Sequence, residues 1–272
     1  MSDTKNDIAW KQLFEKYKIL ERIKEHGAYE ITSEQINEFR EARLMTKFDH
    51  RNNLPKIFKK HKLSILPVSR GSYIISQFET YQDIEEKETE IVRVPFPSYI
   101  ESLDYENITS EATALSCAYV SGIIADFVED EEVVPTVSGR MNSEAFNFNI
   151  NTFAGSPFQV GVTNAQIEID GGFEGLETLS LIEAKNSLSD DFIIRQLYYP
   201  YRLWNGRVSK KVKSIFMIYS NGIFTFCEYE FREPENYNSL ILIKQKRYSI
   251  EETEISLKDI SDFPSPNYSR SN

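Results

Sequence analysis

The sequence predicts a mixed α/β protein of the α+β kind, with a central sheet flanked by helices and a helical unit in front. Three observations carry this. Residues 145–150 alternate apolar and polar side chains at the two-residue period of strands, and strand-like runs follow up to residue 186. A helical pattern at 190–205 follows, and then two β-prone runs surround Asn221-Gly222, a strong hairpin signal. The first sixty residues instead repeat apolar positions at helical spacing.

Taken in order, residues 7–26 read as one amphipathic helix on Ile8, Leu13, Phe14, Tyr17, Ile19, Leu20 and Ile23, stopped by Gly27. Ser33 is a candidate N-cap for a helix carrying Ile36, Phe39 and Leu44. Residues 53–61 give a short helix with Asn53 as cap and Pro55 in its first turn. Two strands follow around Arg70-Gly71. Short helices before a two-stranded wing describe a winged-helix-like unit, on which Lys56, Lys59, Lys60, His61 and Arg70 would face phosphate. Packing of the same unit on the rest of the chain is the competing expectation.

The acidic, proline-containing stretch 82–107 reads as a connection. Residues 109–128 form a helix capped by Thr109 or Ser110, with Glu111 in its first turn and Ala114, Leu115, Ala118, Ile123 and Phe127 buried. Ser138-Gly139-Arg140 reads as a tight turn and 145–150 as a strand. Residues 158–162 and 165–170 supply a second strand, and 178–186 a third. The helix at 190–205 has Asp190 and Asp191 at its N-terminus, with Pro200 bending it. Residues 239–256 add a strand or hairpin, and 262–272 read as a disordered tail. The division is therefore 1–95 for the N-terminal unit, 96–260 for the core and 261–272 for the tail.

The net charge of −11 argues against a non-specific polyanion binder, although a basic face remains compatible with it. No run of about 18 apolar residues exists and no secretory signal is visible, so a cytoplasmic protein is expected. The two cysteines, Cys117 and Cys227, read as small buried residues. The three histidines lack metal-ligand spacing, and neither a P-loop nor a G-x-S-x-G elbow occurs.

The chemistry concentrates at 166–186, QIEIDGGFEGLETLSLIEAKN. Glu183 and Lys185, two apart on a strand, point to one face, and Glu168 and Asp170 end the preceding strand. Paired carboxylates on neighbouring strands suit a hard divalent cation such as Mg2+. A lysine beside them can orient or deprotonate a water, or offset charge on a phosphate. Acid-x-Lys triplets also occur at Asp3/Lys5 and Glu85/Lys87, but in polar stretches. The third lies on an apolar strand, with Gln196 on the following helix.

Asp170 followed by Glu183-Ala184-Lys185, in helix–strand–strand–strand–helix order, resembles the PD-(D/E)XK nuclease superfamily, and the chain as a whole resembles a type II restriction endonuclease. The resemblance covers about 109–231. It implies a restriction-endonuclease-like core that cleaves double-stranded DNA at a short sequence, leaving 5′-phosphate and 3′-hydroxyl ends. Asp170 and Glu183 would hold Mg2+ and Lys185 would serve the attacking water. Glu111 and Gln196 match a further acid and the glutamine of the helix after the motif. Ile169 stands where the motif has proline, and Glu168 and Glu174 are alternatives to Asp170, which is favoured by its place at the strand end. Arg140 and Asn142 are the first candidates for base contacts, with Arg70 and His61 second and Lys59 and Lys60 toward phosphate. A homodimer is implied, with a cognate DNA methyltransferase in the same system. A repair nuclease or junction resolvase of the same superfamily is the alternative enzyme, and a winged-helix regulator the alternative without catalysis.

Overall fold

In the computed structural model, which describes residues 2–85, 87 and 89–251, apolar residues gather into three clusters that each join helices to a sheet. The first unit runs α1 (Lys5–Tyr17), α2 (Ile19–His26), β1 (Tyr29–Thr32), α3 (Ser33–Asn37), α4 (Ala42–Met45), a 3-10 turn at Arg51–Asn53, α5 (Lys56–His61), β2 (Ser64–Ser69) and β3 (Ser72–Ser76). Its three strands form an antiparallel sheet in the order β1-β3-β2. Trp10, Phe14 and Phe58 meet edge-on inside the unit.

The rest runs β4 (Tyr81–Asp83), β5 (Ile91–Pro95), α6 (Glu111–Val120), α7 (Ile123–Val128), β6 (Val134–Asn142), β7 (Phe146–Ile150), β8 (Phe158–Val162), β9 (Gln166–Glu174), β10 (Thr178–Lys185), β11 (Asp191–Ile193), α8 (Arg195–Asn205), β12 (Lys211–Ser220), β13 (Ile223–Phe231) and β14 (Leu240–Glu251). Seven strands build one mixed sheet, β5-β14-β13-β12-β10-β9-β6. The β10–β12 and β14–β5 pairs are parallel and the others antiparallel. The parallel β10–β12 pair needs a crossover, and α8 makes it. Alternation on β10 and β12 divides the two faces: Ile182, Ala184, Ile215 and Met217 pack with α6 and α7, and Leu181, Phe216 and Ile218 pack with α8. This mixed sheet with flanking helices is the fold class that the patterning predicts.

Several elements differ from expectation. The 7–26 helix is two helices, because Lys18 adopts a left-handed conformation (φ 50°) that lets both halves bury into one cluster. The 109–128 helix breaks at Gly122 (φ 78°). Ser110 is its cap and accepts the Thr113 N–H at 3.1 Å. Thr32, not Ser33, caps α3, in a reciprocal box with Gln35. Asn53 lies in the 3-10 turn, and Pro55 takes the N-cap position of α5. Ser138-Gly139-Arg140 is no turn: it lies within edge strand β6, where Gly139 (φ 88°) accommodates an irregularity. Residues 158–162 pair with β7 outside the main sheet. Asp191 does not open a helix. It belongs to β11, paired with β4, and α8 starts at Arg195 and continues through Pro200.

The hairpin at Asn221-Gly222 is present, with positive φ at both residues (51° and 76°) as a primed turn requires. Cys117 and Cys227 are free and buried. Strands β4 and β5 fall within the 1–95 unit of the sequence division, yet they pair with β11 and β14. The expected strand end at 252–256 and tail at 261–272 lie outside the described residues. Among the described residues no helix is long and apolar enough to cross a membrane.

Candidate active site

The site originates in a mismatch between two neighbouring ladders. Strand β9 pairs with β10 through Ile182↔Gly171, and the pairing stops there. On its other edge β9 faces β6, and between Val137↔Gly172 and Gly139↔Ile169 it supplies Asp170 and Gly171 opposite Ser138 alone. Two residues against one is a bulge, a device that re-aims side chains. Here it turns the Asp170 carboxylate toward β10, where Oδ2 accepts the Ala184 N–H at 2.8 Å. The glycines allow the close approach: a Cβ on Gly172 would lie 2.7 Å from Val137 Cβ, and one on Gly171 would lie 2.8 Å from the Phe173 ring.

Beyond the break, Glu183 and Lys185 share the face toward α8. Lys185 Nζ donates to Glu183 Oε1 at 2.5 Å, with side chains 14% and 8% exposed. Gln196, in the first turn of α8, donates its amide N–H to the same oxygen. Its own Oε1 is buried and has no partner among the described residues. Glu111, the first residue of α6, closes the group from the other side of the sheet end. The four elements open onto a cavity of about 300 Å3 lined by Glu111, Glu168, Asp170, Glu183, Lys185 and Gln196, among others.

Desolvation dominates the electrostatics. Burial pushes the Glu183 carboxyl up to about 7, with Asp170 adding to the rise and Lys185 opposing it. Burial also raises Asp170, against the Ala184 N–H and Lys185, and it raises Glu111, where Asp170 contributes and Lys185 opposes. For Lys185 burial works downward, but the Glu183 charge and hydrogen bond outweigh it and the ammonium is held above its usual range.

The structure brings together Asp170, Glu183, Lys185, Glu111 and Gln196. Glu168 also lines the cavity, but its Oε1 is engaged by Arg140 Nε at 3.2 Å across the β6–β9 ladder. Glu174 lies at the far end of β9, bound to Lys210 at 2.7 Å. Asn142 is exposed on the same edge strand as Arg140. None of the expected DNA contacts, Arg140 and Asn142 included, lines the cavity. Arg70 is exposed at the β2–β3 turn and Lys60 is exposed on α5, Lys59 donates to the Asn52 carbonyl at 2.8 Å, and His61 lines a separate cleft.

Sequence reading missed four cavity residues: Lys47, Asp49, Arg195 and Tyr199. Lys47 and Asp49 come from the N-terminal unit, and no local pattern marks them. The segment that carries them is strapped down from both sides. The Asp49 carbonyl accepts the Ile193 N–H at 3.0 Å, and the Phe48 carbonyl accepts the Tyr81 hydroxyl at 2.8 Å. His50 Nδ1 meets the Asp191 carbonyl at 2.6 Å.

Residues 76–249 match the family described as Domain of unknown function (DUF6997). The chain belongs to that family. Residues 7–75 match a second description, Domain of unknown function (DUF6996), so the DUF6997 region holds α6, α8 and the seven-stranded sheet up to Ser249 of β14, and the DUF6996 region supplies Lys47 and Asp49. No curated protein and no solved structure matches the chain.

The donors in the cavity fit a hard cation. Asp49, Glu111, Glu168, Asp170 and Glu183 stand against Lys47, Lys185 and Arg195, a formal excess of two negative charges that one divalent ion would offset. Asp170 Oδ1 and Glu183 Oε2 accept no hydrogen bond from the described residues. Among the described residues no group of three or more His, Cys, Asp or Glu is gathered to hold a metal by itself. Mg2+ commonly takes one or two carboxylates and keeps several waters, and Asp170 and Glu183 offer that number.

Proposed function

We propose that the chain is a Mg2+-dependent DNA endonuclease with a PD-(D/E)XK core, acting as a type II restriction endonuclease on double-stranded DNA. The observation that carries this reading is the gathering of Asp170, Glu183, Lys185, Glu111 and Gln196, from two adjacent strands and two flanking helices, around one cavity. Asp170 and Glu183 would hold the ion through Oδ1 and Oε2. Bound Mg2+ supplies Lewis-acid polarisation of the phosphate and an acidified water.

The remaining work falls to the chain's own groups. Lys185, kept protonated by Glu183, places a positive charge where charge develops on the phosphoryl oxygens. Gln196 fixes one Glu183 oxygen through its amide N–H. The bulge at Asp170–Gly171 and the ladder break hold both carboxylates on one side of the sheet end. Water oxygen bonds to phosphorus as the bond to O3′ breaks, leaving 5′-phosphate and 3′-hydroxyl ends. Arg140 and Asn142, on the exposed edge strand β6, would contact bases. A homodimer would match two such centres to two strands, and a cognate methyltransferase would protect the host site.

Digestion of mapped plasmid DNA tests the specificity. Discrete fragments whose ends share one sequence support the restriction reading, and nicking that follows DNA structure instead supports a repair nuclease or resolvase. Lys185→Ala should keep DNA binding and lose cleavage. If wild type binds DNA without cutting it and Lys185→Ala behaves identically, the protein is a regulator and the nuclease proposal fails.

A further inference from the structure

One cation in the cavity has no use in the chemistry above. Arg195, the first residue of α8, lines the site half-buried, with its guanidinium over the Tyr199 ring at 5.9 Å. That ring is itself fixed: Tyr199 is fully buried and its hydroxyl donates to the Pro67 carbonyl at 2.8 Å. Lys185 and Arg140 are engaged by Glu183 and Glu168. Arg195, although five carboxylates line the same cavity, forms no ion pair among the described residues. A guanidinium that served only as a counter-charge would pair with one of them. Instead it lies over the Tyr199 ring, and among the described residues no side-chain hydrogen bond or ion pair occupies its fork, which can match two oxygens of a phosphate.

A second cation, Lys47, stands exposed at the same cavity and likewise has no ion pair among the described residues. It is carried by the N-terminal unit on the segment tied to Ile193 and Tyr81.

We propose that Arg195, assisted by Lys47, is the clamp that seats a DNA phosphate beside the reacting one. The inference rests on the nuclease reading and adds positioning residues to it. A polyanion entering a carboxylate-rich pocket is repelled, and a fixed fork on a neighbouring phosphate offsets that repulsion while setting the register of the strand. The clamp also gives the N-terminal unit a part in the site, because Lys47 belongs to the DUF6996 region and Arg195 to the DUF6997 region.

The test measures binding of a short DNA duplex to the full chain in the Lys185→Ala background, where cleavage is blocked, over a range of salt. Adding Arg195→Ala should weaken binding about tenfold or more. It should also lower the slope of log Kd against log salt by about one phosphate contact. Arg195→Lys should restore the slope and only part of the affinity. Lys47→Ala should lower the slope similarly with a smaller loss. Thermal melting identifies a variant that fails to fold. If Arg195→Ala does, Arg195→Lys carries the test through a several-fold loss of affinity. Folded Arg195 variants with unchanged affinity and slope overturn the clamp and leave the nuclease reading standing. A Lys185→Ala parent that binds no DNA overturns both.

Discussion

The Asp170 carboxylate accepts the backbone N–H of Ala184 at 2.8 Å, directly beyond the point where the β9–β10 ladder ends. A side chain thus replaces a ladder carbonyl, and the residue expected to hold a cation also holds the two strands at their separation. Asp170→Asn keeps an acceptor for that N–H and removes the charge, whereas Asp170→Ala removes both. Asp170→Asn should therefore melt near wild type and lose cleavage. Asp170→Ala should lose cleavage and, in addition, about 1–3 kcal/mol of stability. Thermal melting alongside a cleavage assay separates the two effects. Equal destabilisation by both variants would remove the structural half of this role.

Gly172 of β9 faces Val137 of β6, and a Cβ there would be 2.7 Å from Val137 Cβ and 3.1 Å from the Val137 carbonyl oxygen. Backbone cannot yield as a flexible side chain does. Gly172→Ala should cost about 1–3 kcal/mol through overpacking and displace Asp170 two residues away. Val137→Ala keeps both of the closest atoms, Cβ and the carbonyl oxygen, so it should not rescue Gly172→Ala. Denaturant titration of the single and double variants measures this.

Asp7 caps two helices at once. Its carboxylate accepts the Thr4 N–H and hydroxyl at 2.9 and 2.8 Å in the box that starts α1, and the N–H of Lys56, the first residue of α5, at 2.7 Å. Burial works to raise its pKa, but the Lys56 and Thr4 hydrogen bonds outweigh this and hold it below the ordinary 3.8. A carboxyl depressed on folding contributes stability that is complete above the unfolded value and is lost as pH falls through the folded one. The gap in melting temperature between wild type and Asp7→Asn should therefore be constant above about pH 5 and close as pH falls below about 4. A gap that widens on acidification would contradict the sign.

Asp191 is buried and its carboxylate receives the Arg51 N–H at 3.2 Å, while its carbonyl receives His50 at 2.6 Å. Asp191→Ala leaves the Arg51 N–H without this acceptor and should cost about 1–3 kcal/mol. Since Lys47 and Asp49 ride on the adjoining segment, amide exchange there should accelerate. Unchanged exchange at 48–51 would show that Tyr81 and Ile193 suffice to hold it.

Much of the core was legible because it rests on local periodicity. The β10 strand, the α8 pattern around Leu197 and Tyr201, and the Asn221-Gly222 hairpin need only a two- or 3.6-residue repeat and one turn signal. Glu183 and Lys185 stood out because charges on so apolar a strand conflict with the surrounding pattern. What escaped depends on contacts distant in sequence. Asp191 resembles a helix-opening acid until Asp83 and Arg51, more than a hundred residues earlier, draw it into a strand pair. Gly139 resembles a turn glycine until β9 is seen running alongside it. Lys47 and Asp49 reach the site only through bonds to Ile193 and Tyr81. The Thr4–Asp7 box escaped as well, and its second partner, Lys56, lies 49 residues further along the chain.

The central claim is that Asp170 and Glu183 hold a divalent cation for phosphodiester cleavage. Its most direct test incubates wild type and Glu183→Gln with mapped double-stranded DNA while Mg2+ is titrated and then removed with a chelator. The account predicts discrete fragments with 5′-phosphate ends that appear with Mg2+ and cease on chelation, and none from a folded Glu183→Gln. Intact DNA from folded wild type at every Mg2+ concentration, or equal cutting by Glu183→Gln, would contradict it.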